Sequence, residues 1–355
     1  MSLTVLSVAF WLTVVGPGSV GGAEQILLQI DKGLVRRGHR SLIVARPESD
    51  VAGILIPTLP FDGPIAHETW FVAHDSVRKA ISLALASYAV DLVHMHGIHF
   101  ANFLPPGDVP TLITLHMPVT WYDPQSLRIS RPNTFLQCVS RSQRESFPAD
   151  IQFLPDVENG VSGELTAQSP RIRKGNFVAM LGRICPEKAF HLGLRAARHA
   201  QTPALLAGQV FAFEEHQRYF AEQIRPELDS HRRYIGAVGP RGRKRLLSSA
   251  RCVIVPSVVP ETSSLVAREA IACGTPVIAF AHGAMPEIIE PGATGFLVQD
   301  QSELPDAIHA CGSLDPAHCR HAARRLLTSD AMVDNYIATY HHMLEVSCRK
   351  LQGVS

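Results

Sequence analysis

The sequence has no CxxC pair, no long uninterrupted apolar run and almost no charge imbalance, and each absence removes a class of protein. Its seven cysteines, at 138, 185, 252, 273, 311, 319 and 348, are odd in number and scattered, so neither a disulfide framework nor a zinc site is suggested. No metal ligands are expected, and a reducing, cytoplasmic setting fits best. A membrane-spanning helix needs a run of about 18 apolar residues, which no segment approaches. Thirty-three Lys and Arg against 32 Asp and Glu leave a net charge of +1, so no global field favours nucleic acid or an anionic membrane as main partner. The run Arg241, Arg243, Lys244, Arg245 has no interleaved aromatics and reads as a solvated helix start. The patch Arg36, Arg37, Arg40 is not diagnostic, which leaves peripheral attachment at the inner membrane face open. Solenoid repeats and low-complexity tracts are missing too. The apolar start Leu3 to Val15 lacks the basic leader of a signal peptide and runs into Gly16-Pro-Gly-Ser-Val-Gly-Gly-Ala-Glu24, so it reads as a first strand and a glycine-rich turn.

What is present is alternation. Strands are expected at 3–15, 41–45, 92–96, 111–115 and 134–139, with helices at 23–37 and 74–87. A second series has strands at 177–181, 204–207 and 233–235 and helices at 191–199 and 244–249. Strands alternating with helices indicate parallel sheets covered on both faces. A chain of 355 residues exceeds what one core serves, so two doubly wound α/β domains are expected, 1–162 and 163–329, with a last helical stretch at 330–355 that can brace both. The Gly-, Ser- and Pro-containing segment from Asn159 to Gly175 suits the connection.

The most informative stretch is Val253 to Asp300. Cys252 to Val255 is short and β-branched, hence a buried parallel strand, and Pro256 and Pro260 stop it. A helix can begin near Ser263 or Ser264, either of which could cap its first turn, and Cys273-Gly274-Thr275-Pro276 ends it before the strand VIAF. Free amides and the helix dipole make that junction suited to phosphate or sugar oxygens. Glu261 falls in the loop, and Glu269 lies about one and a half turns into the helix, leaning back toward its start. Two carboxylates alone would more often be solvated charges. Gly182-Arg183-Ile-Cys-Pro-Glu187-Lys188 adds two cations after another strand, a planar fork and a point charge suited to a diphosphate.

With these motifs the chain resembles retaining, nucleotide-sugar-dependent glycosyltransferases of the GT-B fold, in particular glycosyltransferase family four. PETSSLVAREAIACGTPVIAF is similar to that family's E-x7-E motif and the strand entry after it. GRICPEKA, ENGV at 158–161, GAMPEIIEPGATGFLV at 283–298, GGAE at 21–24 and DLVHMHG at 91–97 support the resemblance in order along the chain. It implies two Rossmann-like domains facing a central cleft, the first binding acceptor and the second a UDP- or GDP-linked sugar as co-substrate. Carried over, it implies that Arg183 and Lys188 hold the diphosphate, Glu269 the ribose, and Glu261 the transferred sugar, with the amides of Ser263, Ser264 and Leu265 on sugar or phosphate oxygens. The base is expected against Ile235 to Val238. From the first domain, Gly21 and Gly22 allow close approach to the phosphate, and His116 matches a family histidine near donor sugar and acceptor. Glu24 and His96 are acceptor-side candidates, although a first-turn acid explains Glu24 equally well and His94 and His96 also suit a structural role. Thr262-Ser263-Ser264 replaces the Pro-Phe-Gly of many relatives, which bears on sugar choice.

The expected reaction moves a sugar to an acceptor hydroxyl on a glycan, lipid or small molecule with retention, without metal and without a cofactor, since no Asp-x-Asp motif occurs. Alternatives are a nucleotide-sugar epimerase or hydrolase of the same architecture, or a non-catalytic binding subunit. A nicotinamide oxidoreductase is disfavoured because no acidic residue is clearly placed for a ribose about 20 residues beyond the glycine-rich turn. A two-carboxylate glycosidase would have no use for the arginine-lysine pair.

Overall fold

The computed structural model describes residues 2–60, 67–166, 173–325 and 327–351, so the centre of the expected connection, 167–172, and the chain end lie outside the described residues. The chain divides into two compact units, Met1–Gly160 with Ser329–Ser355, and Val161–Thr328.

The first unit runs β1 (Thr4–Val8), α1 (Gly22–Arg36), β2 (Arg40–Ala45), β3 (Ile54–Pro57), α2 (His67–Ser87), β4 (Leu92–Met95), β5 (Thr111–Leu115), β6 (Thr134–Cys138), α3 (Arg141–Glu145) and β7 (Phe153–Leu154). Among the described residues its strands form one parallel seven-stranded sheet in the order β3-β2-β1-β4-β5-β6-β7. Strands such as LVHM and TLITL are buried on both faces, which explains why they read as apolar runs without alternation. In α1, Ile26, Leu27, Ile30 and Leu34 are buried at helical spacing.

The second unit runs α4 (Gly163–Thr166), β8 (Val178–Leu181), α5 (Phe190–His199), β9 (Ala204–Ala207), α6 (Glu214–Tyr219), β10 (Arg232–Tyr234), α7 (Pro240–Ser249), β11 (Cys252–Val255), α8 (Leu265–Ala272), β12 (Val277–Phe280), α9 (Met285–Ile288), β13 (Gly295–Val298), α10 (Leu304–Ala310) and α11 (Pro316–Ala322). Its six described strands are parallel in the order β10-β9-β8-β11-β12-β13. Both sheets therefore reverse their winding direction once, between β1 and β4 and between β8 and β11. In doubly wound sheets ligands bind at the carboxyl ends of the strands flanking that reversal.

The last helix, α12 (Ser329–Leu351), returns to the first unit and packs along α1. Gly33 permits the close approach, since a Cβ there would lie 2.5 Å from Val333 Cγ2. Tyr336 and Tyr340 are fully buried, and the Tyr340 hydroxyl bonds His94 Nδ1 at 2.8 Å.

The first strand is shorter than the apolar run 3–15 suggests. After Val8 the chain leaves the sheet, and Trp11, only 4% exposed, packs edge-on against Trp70 of α2 at 5.3 Å between ring centroids. Phe10 to Val15 is apolar because it covers the sheet's end, not because it extends it. Gly16-x-Gly18-x-x-Gly21 has the spacing of the dinucleotide fingerprint, but residues 9–21 form a long excursion between β1 and α1 and not the tight turn which that fingerprint builds.

Candidate active site

Arg183 and Lys188 follow β8, and Glu261 follows β11, the two strands that flank the reversal in the second unit. The loop after β8 is pinned: the Ile184 amide donates to Gln209 O at 2.9 Å, Pro186–Lys188 make one tight 3-10 turn, and Ala189 takes a left-handed conformation at φ 46°. Val258 N donates to Glu187 O at 3.0 Å, tying this loop to the one after β11.

Across that tie, Lys188 Nζ lies 2.5 Å from Glu261 Oε1, and the Ser257 hydroxyl donates to the same oxygen. Burial works to raise the Glu261 carboxyl, yet the charge and hydrogen bond of Lys188, the Ser257 hydroxyl and the Arg183 charge together hold it below the usual range. Glu261 is thus an anion in a mostly enclosed place. Its backbone is clamped from the segment after β12: Ala284 N donates to Glu261 O at 2.8 Å, and Gly283, at φ +59°, approaches so closely that a Cβ would lie 2.5 Å from Glu261 O. Arg183 is 28% exposed and 3.6 Å from the Glu187 carboxylate.

The start of α8 differs from expectation in one respect. Ser264 occupies the cap position at φ 36°, a strained conformation for a non-glycine residue, and its side chain accepts no capping hydrogen bond. Ser263 Oγ is buried without a hydrogen-bond partner, and Ser263 O instead accepts from Arg268 Nε at 3.2 Å. Helix geometry still leaves the first amides of α8, from Leu265 onward, without intrahelical acceptors.

Glu269 has company that the sequence did not suggest. Arg243 Nε, from α7, lies 2.6 Å from Glu269 Oε2. Burial pushes the Glu269 carboxyl up, with the Arg243 charge and hydrogen bond pulling against it. Arg243 therefore departs from the solvated helix start expected of Arg241, Arg243, Lys244 and Arg245: its side chain is 20% exposed, because the first turn of α7 turns it inward toward α8. The only advance signal was its place within a helical start that also buries Leu246 and Leu247. Ile235 to Val238 follow β10, with Ile235 exposed.

A further cluster lies in the same unit although no ligand spacing announces it. Cys185, Glu187 and His216 each bring one ligand-capable atom to within 4.8 Å of the others. Cys185 and Glu187 stand two residues apart in one loop and His216 about thirty residues further on, so a search for CxxC or HxxxH spacing passes over them.

In the first unit, Gly21 caps α1 and Gly22 opens it. Glu24 is 5% exposed, and its Oε1 accepts from Thr13 Oγ1 at 2.6 Å, anchoring the excursion after β1 to the helix start. His96 and His116, after the adjacent strands β4 and β5, are joined Nδ1 to Nε2 at 3.0 Å with rings nearly parallel at 17°. His94 is buried between Tyr340 and Thr114 Oγ1, the latter at 2.7 Å from Nε2. Burial lowers all three imidazoles, His116 to about 4, so the group is neutral at pH 7. The amides of His116 and Met117 both donate to the buried Tyr122 hydroxyl, at 2.9 and 3.1 Å, which fixes the backbone carrying the histidine.

Two doubly wound parallel-sheet units, with charged residues gathered at the strand ends beside the winding reversal, define a glycosyltransferase of the GT-B fold. Residues 20–146 match the model described as Glycosyltransferase Family 4, and residues 175–312 match Glycosyl transferases group 1; the chain is a glycosyltransferase of the family-four type. The phosphatidyl-myo-inositol mannosyltransferase of Mycobacterium leprae (strain TN) is 26% identical over 360 residues, spanning 90% of this chain and 87% of that protein. The D-inositol 3-phosphate glycosyltransferase of Mycobacterium sp. (strain KMS) is 37% identical over 157 residues, 41% of this chain and 34% of its own length. Among solved structures, Anabaena HepE in complex with UDP and glucose superposes with a TM-score of 0.74 at 19% identity, covering 95% of this chain and 99% of that one. Family models and relatives alike are glycosyltransferases, which sets aside the epimerase, hydrolase and non-catalytic readings. Among the described residues no helix is long and apolar enough to cross a membrane.

Proposed function

We propose that the chain transfers a hexosyl group from a nucleoside-diphosphate sugar to an acceptor hydroxyl with retention of configuration and without a metal in the reaction. The observation that carries this reading is the contact of Lys188 with Glu261 across the ends of β8 and β11, with Arg183 beside it. A cationic pair next to a helix start suits a diphosphate, whose departure builds negative charge. In this reading Arg183 and Lys188 stabilise the leaving diphosphate and take over the charge-neutralising role of a divalent cation. The amides of Ser263, Ser264 and Leu265 and the Glu261 carboxylate orient sugar and phosphate oxygens, while the acceptor oxygen attacks the face from which the diphosphate leaves. Its proton passes to the departing phosphate oxygen. Glu269 accepts from the ribose hydroxyls once Arg243 yields part of its contact, and the base rests on Ile235 to Val238. Gly21 and Gly22 let backbone approach the phosphate. His116, neutral and oriented through His96, hydrogen-bonds a donor-sugar or acceptor hydroxyl. Glu24 and His96 serve the acceptor side indirectly, through the loop and the imidazole they hold.

The UDP complex of the fold neighbour and the mannosyl transfer named for the Mycobacterium leprae relative support UDP- and GDP-linked sugars as the donors to examine first. Phosphorylated inositols, named in both mycobacterial relatives, are the first acceptors to try.

The decisive experiment is a thermal-shift panel of UDP- and GDP-sugars on wild type and Arg183→Ala, followed by transfer assays and NMR of the product's anomeric centre. One donor class is expected to raise the melting temperature of the wild type by several degrees and that of the variant far less. Absence of any shift across the panel, or an inverted product, defeats the reading. Omitting Mg2+ is expected to leave the rate unchanged.

A further inference from the structure

Cys185 and Glu187 lie in the pinned loop after β8, and His216 reaches them from α6. Cys185 is fully buried and His216 is 8% exposed. The three ligand-capable atoms lie within 4.8 Å of one another, and Cys185 Sγ donates to the Arg183 carbonyl at 3.4 Å with the Glu187 carboxylate beside it. His216 Nδ1 is buried and meets no hydrogen-bond partner. Phe213 holds the imidazole edge-on at 5.1 Å between ring centroids. A buried imidazole with one unpartnered nitrogen, clustered with a thiol and a carboxylate, is unexplained by anything the transfer reaction requires.

We propose that Cys185, Glu187 and His216 form a binding site for a borderline-soft divalent transition metal of the zinc class, distinct from the donor-binding residues. Sulfur and imidazole nitrogen suit zinc or cobalt and disfavour magnesium or calcium, which take oxygen ligands. Three protein ligands leave a fourth tetrahedral position for water or an anion. Ligation breaks the S–H bond, forms S–metal and releases one proton to solvent. The backbone is already rigid enough to hold such a site, since Glu187 O accepts from Val258 N and Cys185 directly follows Ile184, whose amide donates to Gln209 O. Arg183, 3.6 Å from Glu187, opposes the incoming cation, so binding is weaker than at a four-cysteine site.

The test uses the full chain carrying Cys348→Ser, which removes the exposed thiol at Cys348 as an adventitious ligand. After chelator treatment the protein is titrated with Co2+, then with Zn2+ in competition. One equivalent of cobalt is expected, with four-coordinate visible bands and a thiolate-to-cobalt charge-transfer band in the near ultraviolet. Cys185→Ser should abolish the charge-transfer band, and His216→Ala and Glu187→Gln should each weaken cobalt binding on the order of tenfold or more. Metal-free melting curves and circular dichroism of the variants establish that they are folded, with Glu187→Gln the least disruptive of the three. Sub-stoichiometric cobalt in the parent protein, or a charge-transfer band that survives in Cys185→Ser, overturns the proposal. Because metal is read directly, this outcome is independent of whether any sugar donor binds.

Discussion

Lys188 and Glu261 are residues whose value lies in their pairing, and their separate removal should have unlike consequences. Lys188→Ala takes away a cation and leaves Glu261 enclosed with Ser257 and the more distant Arg183, so the carboxyl should rise toward and above its ordinary range. Transfer measured as kcat/KM is expected to fall by roughly two to three orders of magnitude, as when one transition-state charge donor is lost. Glu261→Ala should cost comparably in turnover while sparing donor binding more, because Arg183 and Lys188, the proposed diphosphate contacts, remain. If both variants keep near-wild-type transfer with the correct donor and acceptor, the assignment fails. Arg243→Ala leaves Glu269 buried beside no cation that the structure pairs with it; stability is expected to drop by about 1–3 kcal/mol, discounted for the pair's partial exposure, and a denaturation midpoint would show it. The buried histidines make a pH prediction. His94, His96 and His116 are lowered when folded, so in acid the unfolded chain binds protons that the folded one refuses. Stability is therefore full above the ordinary histidine value near 6.5 and lost as pH falls from there toward 4. Denaturant midpoints at pH 7.5 and 5 should differ accordingly, and an unchanged midpoint would mean that these imidazoles are not held neutral.

Elements decide where those residues stand. The loops after β8 and β11 come together because their strands are neighbours in the sheet, and the segment after β12 closes on Glu261 from the other side. Gly283 is the position on which that closure depends. Gly283→Ala would force a left-handed φ on a residue with a Cβ and drive that Cβ into the Glu261 backbone, so a loss of at least about 1–2 kcal/mol is expected together with slower transfer. A variant with unaltered melting temperature and rate would show that the clamp is dispensable. Much of this level was legible in advance: the strands 111–115 and 204–207 fall where short, mostly apolar runs stand between turn residues, and α8 lies between its expected serines and its glycine stop. The errors have physical causes. The run 3–15 is predominantly apolar, and composition cannot distinguish a strand from a covering loop that buries Trp11. Ser263 and Ser264 are good caps by type, but Ser264 stands in a left-handed conformation from which its hydroxyl caps nothing.

At the scale of the whole molecule, the second unit begins and ends at one place. Val161 N donates to Leu327 O at 2.8 Å, and Val161 pairs with Thr328, so both termini of the unit lie together at its edge. A fragment spanning 161–328 is accordingly expected to fold cooperatively and to retain the donor-induced thermal shift, because residues 183–269 carry every proposed diphosphate and ribose contact except the glycines at 21 and 22. A fragment that melts without cooperativity would contradict this. Deleting 329–355 from the full chain should instead destabilise the first unit, since it exposes the packing surface of α1 and strips His94 of the Tyr340 hydroxyl.

By itself the sequence determined the periodicities, hence two α/β units, and the order of segments that singles out Glu261 to Glu269 and the Arg183 to Lys188 loop, because strand burial and turn chemistry are written locally. Only the tertiary structure decided which of these charges meet. Lys188 with Glu261, Arg243 with Glu269, and the Cys185 to Glu187 loop with His216 are brought together by strand order and helix packing. Contacts between residues separated by tens of positions leave no spacing rule to read, since they arise from where the chain returns and not from what stands next to it.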